Sequence, residues 1–230
     1  MVKQKLVVLT GAGISAESGI QTFRDSDGLW ENHRIEEVAT PGAWKRNPQL
    51  VLDFYNLRRR NILAAQPNAA HLGIAALQKH FEVQVITQNI DDLHERAGSK
   101  NVLHLHGSIF ERRSEKNETL VYPIKEDMKL DEMAEDGGRF RPNIVWFEEP
   151  VPMIEIAIPM IEAATIFVLI GSSMLVYPAA GLMNFLSPNV PKYVIDKQIP
   201  SLSHSDIIPI QMPATEGVKE LEKWLMASKH

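Results

Sequence analysis

The chain has no cysteine in 230 residues. Disulfides, thiolate nucleophiles and cysteine-bound zinc are therefore excluded at the outset. Aromatic residues make up only 7% and no segment is low in complexity, yet 44% of the residues are hydrophobic. Such a composition predicts one substantial core, or one core with a small satellite module, and not a disordered chain. Long apolar runs are missing too: stretches such as Ala163–Ile170 fall far short of the roughly 20 residues that span a membrane. No apolar signal region separates Met1–Lys5 from the first strand-like segment, so a cytoplasmic protein is expected. Nor is there an excess of positive charge. A net charge of −5 argues against a broad nucleic-acid-binding face. Arg58-Arg59-Arg60 is the one basic run, and by itself it reads as a solvated helix face.

What the sequence does have is a rhythm. Lys5–Thr10, Glu82–Thr87 and Thr165–Ile170 are short β-branched apolar runs that read as buried parallel strands, and Lys192–Ile195 and Ile207–Gln211 are shorter candidates. Helical patterns lie between them. Pro48–Gln66 carries Leu50, Phe54, Leu57 and Asn61 on one side, and Asn68–His80 carries Leu72, Ala75, Ala76 and Leu77. Pro178–Leu186 and Thr215–Ala227 complete the set. The alternation predicts an α/β protein with a Rossmann-like, doubly wound parallel sheet. From about Phe110 to Arg141 the rhythm gives way to charged residues with short apolar pieces, ending in Gly137-Gly138. A loop of that length without structure is uncommon, so a small inserted module is expected. The expected organisation is one domain over 1–230. Its large lobe takes about 1–35, 81–109 and 143–230, with a helical small module at about 36–80 and the inserted module at about 110–142.

Five segments carry chemistry. Gly11-Ala12-Gly13-Ile14-Ser15 follows the first strand, where glycines permit close approach of a ligand and helix-opening amides favour phosphate. The next glycine comes late, at Gly19, unlike the Gly-x-Gly-x-x-Gly of dehydrogenases. Thr22-Phe23-Arg24-Asp25 then puts an aromatic plate, a cation and an anion in one loop. Gln88-Asn89-Ile90-Asp91 stands at the C-terminal end of a parallel strand, where such sheets bind ligands; helix capping by Asn89 or Asp91 is the simpler alternative. His104-Leu105-His106-Gly107-Ser108 offers a general base beside glycine, with His104 expected to be structural. Gly171-Ser172-Ser173, leading into Val176-Tyr177-Pro178-Ala179-Ala180-Gly181, is a second Gly/Ser turn after a buried strand.

In order, spacing and wording these segments resemble the sirtuins, the NAD-dependent protein-lysine deacylases, from Leu6 to about Gly181. The resemblance is strongest to the short bacterial-type class that includes desuccinylases and demalonylases. It implies NAD across the C-terminal strand ends and an acyl-lysine protein or peptide entering from the opposite side. By this resemblance His106 is the base that activates a ribose hydroxyl, and Asn89 and Asp91 line the nicotinamide pocket. Gly11, Ala12, Gly13, Ser15, Phe23, Arg24, Gln88, Ile90, Gly171, Ser172, Ser173 and Asp196 contact the cofactor. Val145, Trp146 and Phe147 on one side, and Val176 and Tyr177 on the other, flank the peptide as an added strand. The implied products are nicotinamide, free lysine and acyl-ADP-ribose. Tyr55 and Arg58 are three apart on a predicted helix and share a face, where phenol and guanidinium make a clamp for an acyl carboxylate. The resemblance ties the family's preference for negatively charged acyl groups to such a Tyr-x-x-Arg pair, and so implies desuccinylation and demalonylation, with deacetylation as well or more weakly.

The chain also departs from the family. Where most sirtuins hold zinc with two Cys-x-x-Cys pairs, this sequence has Ser114-Glu115-Lys116-Asn117 and Met133-Ala134-Glu135-Asp136. No zinc is expected, and the module is expected to rest on apolar contacts from Leu120, Val121, Tyr122, Ile124, Met128, Leu130 and Met133. Glu148 replaces a usual glycine, and Asp196-Lys197-Gln198 stands where Asn-Leu-Glu often meets the adenine-side ribose. An NAD glycohydrolase or ADP-ribosyl transferase, and a non-catalytic NAD- or ADP-ribose-binding regulator, are the alternative readings. A monomer with no nucleic-acid or membrane partner is expected.

Overall fold

The computed structural model describes residues 3–21, 33–172, 179–199 and 207–227. In chain order the strands and helices are β1 (Lys5–Thr10), α1 (Ile35–Val38), α2 (Pro41–Arg46), α3 (Pro48–Ala64), α4 (Ala69–Leu77), β2 (Glu82–Thr87), α5 (Leu93–Arg96) and β3 (Val102–His104). There follow β4 (Gly107–Ser114), β5 (Val121–Pro123), β6 (Phe140–Ile144), α6 (Met153–Glu162), β7 (Ile166–Ile170), β8 (Lys192–Ile195), β9 (Ile207–Ile210) and α7 (Ala214–Ala227).

The main sheet runs β3-β2-β1-β7-β8-β9, and each neighbouring pair is parallel. Its central strands β1 and β7 are buried on both sides because both faces of the sheet are covered there. In β1, Leu6 and Val8 enter a core shared with α4 and α7, whereas Val7 and Leu9 enter a second core shared with α6. The order reverses at β1: β2 lies on one side and β7 on the other. Such a reversal opens a crevice beyond the C-terminal strand ends.

Residues of the inserted segment form a second sheet, β5-β4-β6, which is antiparallel. A third core joins it to α1, α2 and α3 through Trp44, Val51, Leu52, Tyr55, Ile109, Ile124, Met128, Phe140 and Trp146. The segment is thus a structured module.

Three features differ from the sequence reading. Of the side expected for α3, Phe54 is buried as foreseen but Leu57 is 43% exposed, and the rest of the buried face is Val51, Leu52, Tyr55, Asn56, Arg58, Arg59 and Ile62. Arg58 and Arg59 are not a solvated face. Arg59 is fully buried, donating to the Ile109 carbonyl at 2.8 Å, to Asn56 Oδ1 at 2.8 Å and to the Glu126 carbonyl at 3.2 Å. Burial pulls its pKa down to about 10. In α4, Leu72 is exposed and Ala70, Ile74 and Leu77 face the core. Finally, α6 lies outside the expected helices and contains Pro159, a residue that ordinarily ends a helix, while Ala179–Phe185 winds as 3-10 turns.

Candidate active site

The glycines after β1 and β7 meet one another. Gly11 donates to the Ile170 carbonyl at 3.0 Å and Gly13 to the Gly171 carbonyl at 2.9 Å. A Cβ on Gly13 would stand 2.6 Å from Gly171 Cα, and one on Gly171, whose φ is +61°, 2.5 Å from the Gly13 carbonyl carbon. Glycine is required here because two backbones interlock. The two strand-end turns are thereby held as one floor at the crevice. Gln88 Nε2 donates to Ser172 Oγ at 3.1 Å and ties the end of β2 to the same floor.

Beside this floor is a buried polar cluster. Ser15, fully buried, donates to Asp91 Oδ2 at 3.0 Å and accepts from Asn89 Nδ2 at 3.2 Å. Asp91 Oδ1 accepts the Leu93 amide at 3.1 Å, two residues on, while the N-cap of α5 is Asp92 without a side-chain cap bond. Burial pushes the Asp91 carboxyl up, against the opposing pull of the Leu93 amide and the Ser15 hydroxyl. His71 Nδ1 accepts the Asn68 amide at 3.3 Å, which leaves the proton on Nε2, 3.4 Å from Ser15 Oγ. Ser15 therefore accepts twice and donates once, and its rotamer is fixed. Below it, His94 Nε2 stands 3.1 Å from Thr10 Oγ1, with its ring edge-on to His71 at 5.0 Å. Burial lowers His71 to about 4 and, with the charges of His71 and His104, lowers His94 to about 3. His71 and His94 are the residues that sequence reasoning passed over. Isolated histidines carry no spacing signal.

His106 stands apart from that cluster. Its Nδ1 lies 2.9 Å from the Gln88 carbonyl. A carbonyl oxygen only accepts, so Nδ1 carries the proton and Nε2 keeps its lone pair. Burial lowers the His106 pKa, partly offset by this bond, and keeps the ring neutral near pH 7. His104 shares the Nδ1–carbonyl contact but differs at Nε2. Nδ1 contacts the Asn89 carbonyl at 2.9 Å and Nε2 the Glu95 carboxylate at 2.7 Å. Burial would lower its pKa, but the bond and charge of Glu95 outweigh that and raise it. His104 thus holds the Asn89 backbone, in keeping with its expected structural role.

Tyr55 and Arg58 lie together under the inserted module. The Tyr55 ring stacks on Trp146 at 6.4 Å, and Arg58 sits 5.9 Å from the Phe54 ring centre. Burial pushes the Tyr55 phenol upward, and the charge of Arg58 opposes it. Arg58 also lines a cavity of about 90 Å³ with Gly19, Ile20, Gln21, Asn61 and Ile62. Trp146 is buried between Trp44, at 5.9 Å, and the Arg141 guanidinium, 3.4 Å over its ring, while Phe147 is 40% exposed. Val145 donates to the His106 carbonyl at 3.0 Å, which links the expected peptide-flanking segment to the expected base. Ala12 lies in the turn after β1, Ile90 is buried in the core shared with the module, and Asp196 follows β8 as a buried carboxylate that accepts the Gln198 amide at 3.0 Å. Phe23, Arg24, Ser173, Val176 and Tyr177 lie outside the described residues.

The positions that replace the zinc cysteines do not suit zinc. A hydroxyl, an amide, a thioether and one carboxylate offer no thiolate or imidazole. Met133 is 57% exposed, and Asp136 is occupied by Ser114 and Gly138. Among the described residues no group of three or more His, Asp or Glu is placed to hold a metal ion, and no helix is long and apolar enough to cross a membrane.

Comparison with known proteins places this arrangement. The Sir2 family profile matches residues 11–178. The chain is 54% identical over 193 residues to an NAD-dependent protein deacylase of Helicobacter pylori, with 84% of each chain covered. It is 47% identical over 230 residues to a protein of the same name from Bacteroides thetaiotaomicron, covering 97% of this chain and 98% of that one. A solved structure described as a Sir2 homolog–NAD complex is similar with a TM-score of 0.86 at 36% identity, covering 98% of this chain and 91% of that one. Matches of this extent and identity establish that the chain belongs to the Sir2 family.

Proposed function

We propose that the protein is an NAD-dependent protein-lysine deacylase that favours acyl groups ending in a carboxylate and also removes acetyl. NAD binds over the floor made by Gly11, Ala12, Gly13, Gly171 and Ser172, with Arg24, Gln88 and Ser173 as cofactor contacts and Asp196 toward its adenine-side ribose. Asn89, Ile90 and Asp91 line the nicotinamide pocket, and Phe23 covers the reacting ribose carbon. The acyl oxygen of the substrate lysine attacks that carbon as nicotinamide leaves, and one water is consumed in releasing the lysine amine, so that the products are nicotinamide, acyl-ADP-ribose and free lysine.

The observation that carries this reading is the tautomer of His106. The Gln88 carbonyl fixes the proton on Nδ1 and leaves Nε2 as an unprotonated base. Nε2 takes the proton of a ribose hydroxyl, whose oxygen then attacks the acyl-derived carbon. The rigid Ser15–Asn89–Asp91 cluster supports the reading because it supplies oriented donors and acceptors at the crevice without bulk water. Burial of Tyr55 and Arg58 supports the acidic-acyl preference, since a carboxylate meeting a desolvated guanidinium gains a strong charge-assisted bond. Val145–Phe147 and Val176–Tyr177 take the peptide backbone between them. A cytoplasmic monomer without a nucleic-acid partner completes the reading, and the net charge of −5 favours that last point.

Nicotinamide release, measured with and without acylated peptide across pH, tests this. Release is expected only with peptide, with an acid limb below the ordinary histidine value of 6.5 because His106 is lowered. Release independent of peptide would favour a glycohydrolase instead.

A further inference from the structure

The inserted module lacks zinc-binding chemistry yet is closed at the place where relatives with cysteine pairs would bind the metal. Ser114 ends β4 and is fully buried. Its hydroxyl lies 2.9 and 2.8 Å from the two carboxylate oxygens of Asp136, which it donates to. The same oxygen accepts the amides of Lys116 at 3.1 Å and Asn117 at 3.4 Å. Asp136 Oδ1 in turn accepts the Gly138 amide at 2.8 Å, and Lys116 Nζ reaches the Gly137 carbonyl at 2.9 Å. A Cβ on Gly138 would stand 2.4 Å from Ser114 Oγ, so the second turn is packed directly on the serine. Each turn therefore satisfies its own amides and grips the other turn with the same two side chains. These are the first and last of the four positions that stand in for the cysteines.

The clasp leads toward the candidate site through its neighbour Glu115. Glu115 accepts the Trp44 indole N–H at 3.2 Å and Arg139 Nε at 3.2 Å. Trp44 packs on Trp146, and Trp146 stacks on Tyr55. We propose that Ser114 and Asp136 form a metal-free clasp that closes the module in zinc's place and, through Glu115 and Trp44, positions the Trp146 wall against which the acyl-lysine lies. The wall rests on the deacylase reading; the clasp does not.

A double-mutant cycle on the full chain tests the clasp without substrate. Ser114→Ala and Asp136→Ala are each expected to lower the melting midpoint by about 2–8 °C, with Asp136→Asn between Asp136→Ala and wild type because it keeps one acceptor oxygen. The double variant is expected to lose clearly less than the sum of the singles. Amides of Lys116, Asn117 and Gly138 are expected to exchange hydrogen at least tenfold faster in Ser114→Ala. Additive losses, unchanged exchange, or a zinc-induced rise of the wild-type midpoint with one zinc per chain would overturn the clasp. For the wall, Asp136→Asn is expected to raise the KM for acyl-peptide at least threefold while the KM for NAD changes less than twofold, and equal rises would overturn it. A wild type that shows the coupling but no peptide-dependent turnover would sink the deacylase reading alone.

Discussion

Single residues carry most of the chemistry here, and each is set by one identifiable constraint. His106 is available as the proposed base because a carbonyl dictates its tautomer. Ser15 is rigid because its three hydrogen-bonding capacities are used. Glu148 is the instructive exception. Among the described residues it is the one non-glycine with positive φ, at 73°. Its exposed side chain follows the buried Trp146, and the turn is held by Glu149, which accepts the Trp146 amide at 2.8 Å and pairs with Arg141 at 2.7 Å. The turn imposes the left-handed conformation, which disfavours a residue with a Cβ. This explains physically why glycine suits the position. Glu148→Gly is expected to raise stability by about 0.5–1 kcal/mol, the relief of the Cβ clash less the entropy of glycine in the unfolded chain. Urea unfolding measures it, and a loss of stability would refute the strain argument.

At the scale of elements, legibility followed burial geometry. β1, β2 and β8 match the sequence expectation end for end because their buried β-branched residues form short, recognisable apolar runs. β4 and β6 did not stand out. They carry arginines whose charge is neutralised across the module, as when Arg112 pairs with Glu132 and lies 4.1 Å over the Phe140 ring. The face of α3 was misread for a related reason. Apolar periodicity alone cannot foresee that Arg59 is buried to satisfy the Ile109 and Glu126 carbonyls of the facing module. Arg59 is therefore a strut between α3 and β4. Arg59→Leu keeps the bulk but leaves the Ile109 carbonyl, whose bond to Arg59 is buried, without that donor, and is expected to cost about 1–3 kcal/mol. A change below about 0.5 kcal/mol in urea unfolding would show the strut to be dispensable.

On the scale of the whole molecule, the reversal of strand order at β1 creates the crevice, and the second sheet with α3 supplies a wall beside it. The motifs of the candidate site were legible because they sit at strand ends in chain order. The support beneath them, His71 from α4 and His94 from α5, was not, because only the fold brings those helices under Ser15 and Thr10. The proposed acyl preference belongs to this scale too, since it depends on how Tyr55 packs against Trp146 and how Arg58 lines the cavity with Gly19–Gln21. The most direct measurement is product analysis by mass after incubating the protein with NAD and matched acetyl-, succinyl- and malonyl-lysine peptides, for wild type and Arg58→Met. Free lysine peptide with an equal amount of the matching acyl-ADP-ribose is predicted, led by the succinyl or malonyl substrate, with that lead lost in Arg58→Met. Loss of acyl groups without acyl-ADP-ribose, or no turnover of any peptide, would contradict the account.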